Sequence, residues 1–184
     1  TEEEMALALR RGLRALNVES AEEMEALART AKRCGKPAPV VVRVNPDVDA
    51  GTHAHITTGT AANKFGVEAD RAFFLYRRAA NDPWLRPVGI QCHIGSQILR
   101  VAPFRRAVRT LVRLLDRLSA EGIRLRHVDI GGGMGIAYGK EKPFTPRELA
   151  RVVLPELRAY PDMELPLEPG RYLVGEPGLL APRV

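Results

Sequence analysis

Three polar clusters follow apolar stretches of the sequence, and their residue types could together hold a small charged ligand. The clusters are His93 with Ser96, the run of Gly131, Gly132, Gly133 and Gly135, and Glu168 with Arg171. An imidazole can stack on a flat ring, and a carboxylate can keep a ring nitrogen protonated. A nearby arginine can meet an anion. The clusters therefore predict a pocket for a flat, protonatable ring that carries an anionic group.

The glycine run has two interpretations that the sequence leaves open. It is not a GxGxxG dinucleotide fingerprint, because Ile136 or Tyr138 stands where the third glycine is required. It can present backbone N–H groups to a phosphate, or it can be a purely structural tight turn at a strand end. With a phosphate, the ligand that the three clusters describe matches pyridoxal 5′-phosphate.

The elements that position these clusters alternate between short β-rich runs and amphipathic helices, the pattern of a parallel α/β sheet. The predicted strands are RALNVE (14–19), PVVVRVN (39–45), PVGIQCHIG (87–95), LRHVDIG (125–131) and ELPLEPG (164–170). These units fit an open doubly wound sheet or the later part of a (β/α)8 TIM barrel. Because the clusters follow three different strand ends, the barrel is favoured.

Helix signals stand between the strands. The pairs Ser20 with Glu23 and Thr145 with Glu148 predict capping boxes, and Pro146 suits a first helical position. The clearest helix is predicted from residue 103 to about 121, with a glycine stop at 122. The long polar stretch 46–66 is predicted to be a working loop.

Composition narrows the function classes. The 184 residues are 45% hydrophobic and 27% charged, which predicts one globular domain over 1–184 or part of one. The net charge of +6 is spread over helices beside glutamates without an aromatic cluster, so no nucleic-acid partner is expected. No apolar run approaches about 20 residues, so no membrane partner is expected and the chain is predicted to be cytoplasmic. Cys34 and Cys92 are predicted to be reduced.

The motifs CHIGSQI, DIGGGMGI and LEPGRYLVG, preceded by RVNPDVDAGTHAHITTGTAANKFGV, resemble the diaminopimelate decarboxylase family. The resemblance covers nearly the whole chain and implies an alanine-racemase-like barrel that binds pyridoxal phosphate. It implies that His93 stacks on the pyridine ring and that Glu168 pairs with its nitrogen. It further implies that Ser96 and the backbone of 131–135 hold the phosphate, and that Arg171 serves the phosphate or a substrate carboxylate.

The sequence departs from the family in two places. The family's Schiff-base lysine lies on an early strand that is absent here, and Lys64 is the nearest substitute, in a polar loop that would not depress its pKa. The family's C-terminal β-domain, which completes the site across a homodimer interface, is also absent. We therefore expect a barrel fragment that is inactive alone, and no metal.

The resemblance implies decarboxylation of a small amino-acid substrate, meso-2,6-diaminopimelate, to L-lysine and CO₂ in lysine biosynthesis. Two alternatives stay open. The chain could belong to a decarboxylase of another basic amino acid, such as arginine or ornithine, or it could be a non-catalytic barrel relative that binds proteins.

Overall fold

The computed structural model describes residues 1–50, 65–175 and 177, so Lys64 and most of the predicted loop at 46–66 lie outside the described residues. The helices are α1 (Glu2–Arg11), α2 (Ala21–Cys34), α3 (Ala69–Ala80), α4 (Ala102–Ala120), α5 (Pro146–Val153) and α6 (Gly170–Val174). The strands are β1 (Leu16–Val18), β2 (Ala38–Asn45), β3 (Val67–Glu68), β4 (Leu85–Gln91) and β5 (His127–Asp129). A 3-10 turn, Leu154–Leu157, follows α5.

The strand pairs among these residues are parallel, and the strands join the sheet in chain order. The order is β1-β2-β4-β5, and the short β3 pairs with the end of β2. A doubly wound sheet reverses its direction of growth at a switch point, whereas a barrel adds each strand beside the previous one. The chain therefore has the fold of a partial (β/α) barrel, as the positions of the polar clusters predict.

The predicted strand at 164–170 is wrong as a continuous strand. Glu164 makes only an isolated parallel bridge with His127, and residues from 170 onward form α6. Pro166 and Pro169 interrupt this stretch and have no N–H groups to donate to a ladder. The segment nevertheless follows β5 along the same edge of the sheet.

Side-chain caps begin two helices as the sequence predicts, with one difference. The Thr145 hydroxyl accepts from the Glu148 N–H, and the Glu148 carboxylate accepts from the Thr145 N–H at 2.7 Å, which completes a capping box. Ser20 likewise accepts from the Glu23 N–H at 3.1 Å. The Glu23 carboxylate accepts from the N–H of Glu19, one residue before the cap, at 2.7 Å. The capping box at Ser20 is therefore incomplete, although the helix begins where predicted.

The outer face of the sheet packs against the helices and forms the apolar core. Val40, Val42 and Val44, alternate residues of β2, are 0%, 0% and 1% exposed and belong to the main core cluster. Helix α4 matches its prediction within a residue and buries the expected face, Phe104, Val108, Leu111, Leu115 and Leu118. This packing fixes β4, whose carboxyl end carries the cluster of His93 and Ser96.

A tyrosine from α3 closes an irregularity in the β2–β4 ladder. The register of the two strands shifts between Val40 and Val41. The fully buried Tyr76 hydroxyl accepts from the Val42 N–H at 3.1 Å and donates to the Gly89 carbonyl at 2.7 Å. Burial raises the pKa of Tyr76, so its hydroxyl stays protonated and can make both bonds. Tyr76 therefore gives the Val42 N–H and the Gly89 carbonyl a hydrogen-bond partner at the irregularity.

Both cysteines among the described residues are free thiols, as predicted. Cys92 is buried one residue after β4, and burial raises its pKa to about 12. A protonated thiol at neutral pH is not a nucleophile.

In the described part of the chain, no helix combines the length and the apolar character that crossing a membrane requires.

Candidate cofactor site

The inner face of the sheet becomes polar toward the carboxyl ends of its strands. Arg43 on β2, Gln91 on β4 and Asp129 on β5 are paired in register, so their side chains project from the same face. Arg43 forms an ion pair with Glu19 at 2.5 Å and lies over the Phe65 ring, 5.2 Å from its centroid. The side-chain oxygen of Gln91 is buried and has no hydrogen-bond partner among the described residues. A cation, an unsatisfied acceptor and an acid thus form one row.

His93 lies two residues beyond Gln91 and is half-buried. Its Nδ1 accepts a hydrogen bond from the Gly132 N–H at 3.3 Å, so the neutral ring carries its proton on Nε2. Desolvation and, to a lesser extent, Arg43 lower the pKa of His93, and this outweighs the opposing effect of Glu168. The imidazole is therefore neutral at pH 7, which suits stacking on another flat ring.

Asp129 connects the end of β5 to the glycine run. Its Oδ1 accepts a hydrogen bond from the Gly131 N–H at 2.7 Å. Burial raises the pKa of Asp129 to about 6; the Gly131 bond opposes this, and the charge of Glu168 adds to it. Asp129 is not among the site residues predicted from the sequence. The available signal was an acid two residues before a glycine at a strand end, the spacing of an Asx turn.

The glycine run is required because other parts of the chain approach it closely. A Cβ atom would lie 2.7 Å from the Cys92 oxygen at Gly131, 2.0 Å from the Glu168 oxygen at Gly132, 2.0 Å from the Gly95 oxygen at Gly133, and 2.7 Å from Leu99 Cδ2 at Gly135. Distances below about 3.0 Å to backbone atoms leave no space for a methyl group. Gly131 and Gly133 also have φ values of 69° and 85°, in the left-handed region. Close approach of other segments therefore requires glycine in this run, and this requirement is compatible with either interpretation of the run.

Most N–H groups of the run's glycines already have acceptors. The donors and acceptors are Gly131 with Asp129, Gly132 with His93, and Gly135 with the Ile98 carbonyl. Among the described residues, no acceptor takes the N–H of Gly133 or of Met134, and the Ser96 hydroxyl has no partner. The donors that remain for a phosphate are therefore the N–H groups of Gly133 and Met134 and the Ser96 hydroxyl. Phosphate binding by these groups stays a prediction.

Glu168 is held at the same turn by its backbone. Its N–H donates to the Gly131 carbonyl at 2.9 Å, while its carbonyl lies against Gly132. The Glu168 side chain is exposed and has no ion-pair partner among the described residues. Its charge is close enough to raise the pKa of both His93 and Asp129. The structure thus brings together His93, the glycine run and Glu168, as the sequence predicts.

Two further residues at the site were missed by the sequence analysis. Arg43 interrupts the apolar strand VVVRVN, and a charge inside a buried parallel strand was a usable signal. Gln97 accepts a hydrogen bond from Arg171 Nη1 at 3.2 Å. A glutamine beside Ser96 gives no signal of this contact, which joins residues far apart in the sequence.

These residues fit pyridoxal phosphate. A neutral imidazole would face the ring, the Glu168 carboxylate is available to a ring nitrogen, and N–H and hydroxyl donors are available to a phosphate. The buried Gln91 oxygen also requires a donor that the described residues do not supply. A parallel α/β sheet with these groups at its carboxyl edge is a pyridoxal-phosphate-binding domain.

Comparison with known proteins assigns the family. Residues 1–175 match the family model of the pyridoxal-dependent decarboxylases, described as their pyridoxal binding domain. The chain belongs to this family, whose members are enzymes. Over its full length it is 46% identical to diaminopimelate decarboxylase of Vibrio cholerae and 45% identical to that of Pseudomonas aeruginosa. The chain spans 44% of the length of each.

Solved structures agree with this assignment. Diaminopimelate decarboxylase from Helicobacter pylori complexed with L-lysine has a TM-score of 0.88 and 35% identity over 92% of this chain and 43% of its own. Lysine decarboxylase from Selenomonas ruminantium has a TM-score of 0.76 and 25% identity over 92% of this chain and 42% of its own. SrLDC in complex with pyridoxal phosphate and cadaverine has a TM-score of 0.74 and 26% identity over 93% of this chain and 40% of its own. The chain is more similar to the first structure by both measures.

The lysines of the described residues are not on the strands of the sheet. Lys32, Lys36, Lys140 and Lys142 all lie off the strands. The amine of Lys36 donates to the Leu9 carbonyl at 2.9 Å. Lys64 lies outside the described residues, so its prediction as the nearest substitute stays open.

Proposed function

We propose that this chain is part of a diaminopimelate decarboxylase, which converts meso-2,6-diaminopimelate to L-lysine and CO₂. The main structural support is the arrangement of His93 and Glu168 around Gly131 and Gly132 at the carboxyl edge of the sheet. The identity of 42–46% to diaminopimelate decarboxylases from several bacteria supports the choice of substrate. The cytoplasm and a homodimer of the full-length protein belong to the same proposal.

The proposed roles follow from the charges and contacts of the site. Bound pyridoxal phosphate supplies an electron sink for the charge that is left when CO₂ departs. Glu168 accepts a hydrogen bond from the protonated ring nitrogen and keeps it charged, because a carboxylate stabilises the neighbouring cation. The neutral His93 ring covers one face of the cofactor ring and excludes water from it. Ser96 and the N–H groups of Gly133 and Met134 bind the phosphate.

The lysine that binds the cofactor covalently belongs, in this proposal, to a segment outside the 184 residues. Lys64 remains the one candidate within the sequence that the structure does not test. Borohydride reduction of the cofactor-loaded full-length protein, followed by peptide mass mapping, identifies the labelled lysine. A label on Lys64 would replace this part of the proposal.

A decarboxylase of another basic amino acid is the second candidate, because the chain also has the fold of the Selenomonas ruminantium lysine decarboxylase, at a TM-score of 0.76. The full-length protein loaded with pyridoxal phosphate should release CO₂ from meso-diaminopimelate much faster than from lysine, ornithine or arginine. Release of CO₂ mainly from one of the other three amino acids would favour the second candidate. Release from none of the four would support the non-catalytic alternative.

The role of Glu168 has its own test. Glu168→Ala should lower turnover by about a hundredfold while changing cofactor affinity much less, because the ring charge matters most in the transition state. Glu121→Ala, at an exposed site after α4, is the matched control and should behave as wild type. Unchanged turnover in Glu168→Ala would contradict the assigned role.

A further inference from the structure

Gln97 joins three segments of the site through one side-chain amide. Its Nε2 donates to the Ile136 carbonyl at 2.6 Å, and its Oε1 accepts from the Ile136 N–H at 3.2 Å. The same Oε1 accepts from Arg171 Nη1 at 3.2 Å. The loop after β4, the loop after the glycine run and the first turn of α6 therefore meet at this residue.

The backbone at Gln97 has an unfavourable conformation. Its φ is 58°, in the left-handed region that non-glycine residues rarely adopt. The neighbouring Ile98 is fixed by backbone bonds to Gly133 and Gly135 at 2.8 and 2.9 Å. Such conformations persist only where the surrounding structure imposes them, and they concentrate at functional sites. Here the conformation places the amide between Ile136 and Arg171.

Arg171 is exposed, and its long side chain would otherwise sample many rotamers. Arg171 Nη1 donates a hydrogen bond to Gln97 Oε1. The guanidinium carbon of Arg171 also lies over the Tyr138 ring, 5.9 Å from the ring centroid. No carboxylate of the described residues pairs with Arg171. The guanidinium is thus oriented by neutral groups and keeps donors for an external anion.

We infer that Gln97 is a positioning residue, which orients the Arg171 guanidinium toward an oxyanion of the site. The oxyanion is the phosphate of the cofactor or a carboxylate of the substrate. This inference rests on the proposed function, since it needs a ligand at the site. A preorganised guanidinium binds more tightly because less side-chain entropy is lost when the ligand arrives.

The test compares Gln97→Asn and Gln97→Glu in the full-length protein. Asparagine tolerates a positive φ, but it is too short to contact both Ile136 and Arg171. Glutamate keeps the length of the side chain, but it replaces a neutral acceptor with a carboxylate and removes the donor to the Ile136 carbonyl. The measurements are the dissociation constant of pyridoxal phosphate by absorbance titration, the affinity for L-lysine by calorimetry, and KM and kcat for diaminopimelate.

Gln97→Asn should weaken one oxyanion contact about tenfold, and Gln97→Glu should weaken the same contact at least as much, because its carboxylate competes with the external anion for Arg171. A weaker dissociation constant for pyridoxal phosphate identifies the phosphate, whereas a raised KM with weaker L-lysine binding identifies a substrate carboxylate. Combined with Arg171→Ala, Gln97→Asn should add no further loss, because both act on the same contact. The inference is overturned if the wild type is active and Gln97→Asn changes neither the dissociation constant for pyridoxal phosphate nor KM. It is also overturned if the effects of Gln97→Asn and Arg171→Ala add when the two are combined. An inactive wild type would instead contradict the proposed function.

Gln97→Met covers the case in which the asparagine variant does not fold. It keeps the length of the side chain and removes both polar groups, and it should weaken the same contact as Gln97→Asn. Wild-type constants in a folded Gln97→Met protein would also overturn the inference.

Discussion

The outer and inner faces of the sheet differ in chemistry, although their residues alternate along the same strands. On β2, Val40, Val42 and Val44 face the helices and are at most 1% exposed. Arg43, between two of these valines, faces the other side and is in register with Gln91 on β4. The outer face is stabilised by apolar area removed from water. The inner face carries buried polar groups that are costly unless they have partners, so a ligand site can form there.

The largest expected effect on stability concerns the outer face. Leu111 on α4 is 0% exposed, and Leu111→Ala should lower the free energy of unfolding of the full-length protein by about 3 kcal/mol, because it leaves a cavity. The substitution should leave kcat and cofactor affinity within twofold. Urea unfolding measures the first quantity and a decarboxylation assay the second. The control, Leu154→Ala at a site 54% exposed, should cost less than about 0.5 kcal/mol. A loss of activity in folded Leu111→Ala would show that the two faces are not separable.

The next effect concerns the inner face at the glycine run. Gly132→Ala places a methyl group 2.0 Å from the Glu168 carbonyl oxygen, so the Glu168 segment must move. Turnover should fall by about a hundredfold, because small displacements of reacting groups are costly. Gly139→Ala is the matched control, since its nearest contact would be an ordinary 3.5 Å to Glu141. Equal activity of the two variants would mean that Gly132 does not position Glu168.

Tyr76 on α3 joins the backbones of β2 and β4, and loss of its hydroxyl should have a smaller effect on stability. Tyr76→Phe leaves the buried Val42 N–H and Gly89 carbonyl without their partner, which should cost about 1–3 kcal/mol. Tyr138→Phe, at a side chain 69% exposed, should cost almost nothing. Thermal and urea unfolding of both variants measure the difference. Equal stability would mean that water or another group satisfies the irregular ladder.

The smallest expected effect depends on pH. The pKa of Asp129 is raised from 3.8 to about 6 in the folded protein, so the folded state holds this proton more tightly than the unfolded chain. Ionisation of Asp129 therefore destabilises the fold as pH rises through this interval. Asp129→Asn keeps the acceptor for Gly131 and should be more stable than wild type by about 1–2 kcal/mol at pH 7, with no such gain near pH 4. Denaturant unfolding at several pH values measures this, and a difference that does not change with pH would contradict it.

Local signals predicted some elements better than others. The amphipathic period of α4 and the cap at Thr145 involve residues within a few positions of each other, so both were found from the sequence. The segment at 164–170 was predicted as a strand, but its prolines and its bridge at Glu164 limit it to isolated pairing. Helix α1 begins with a capping box from Thr1 to Glu4, a signal that was present in the sequence but was not used.

The sequence by itself determined the family, the parallel α/β pattern and the residue types at the site, because motifs and periodicity are local properties of the chain. Only the tertiary structure decided what the glycines accommodate, since the Cys92, Gly95 and Glu168 carbonyls that approach them come from other segments. It also decided that Gln97 contacts Arg171, a pair separated by 74 positions. Such contacts depend on the order in which parallel strands join the sheet, and that order is set by the packing of the whole chain.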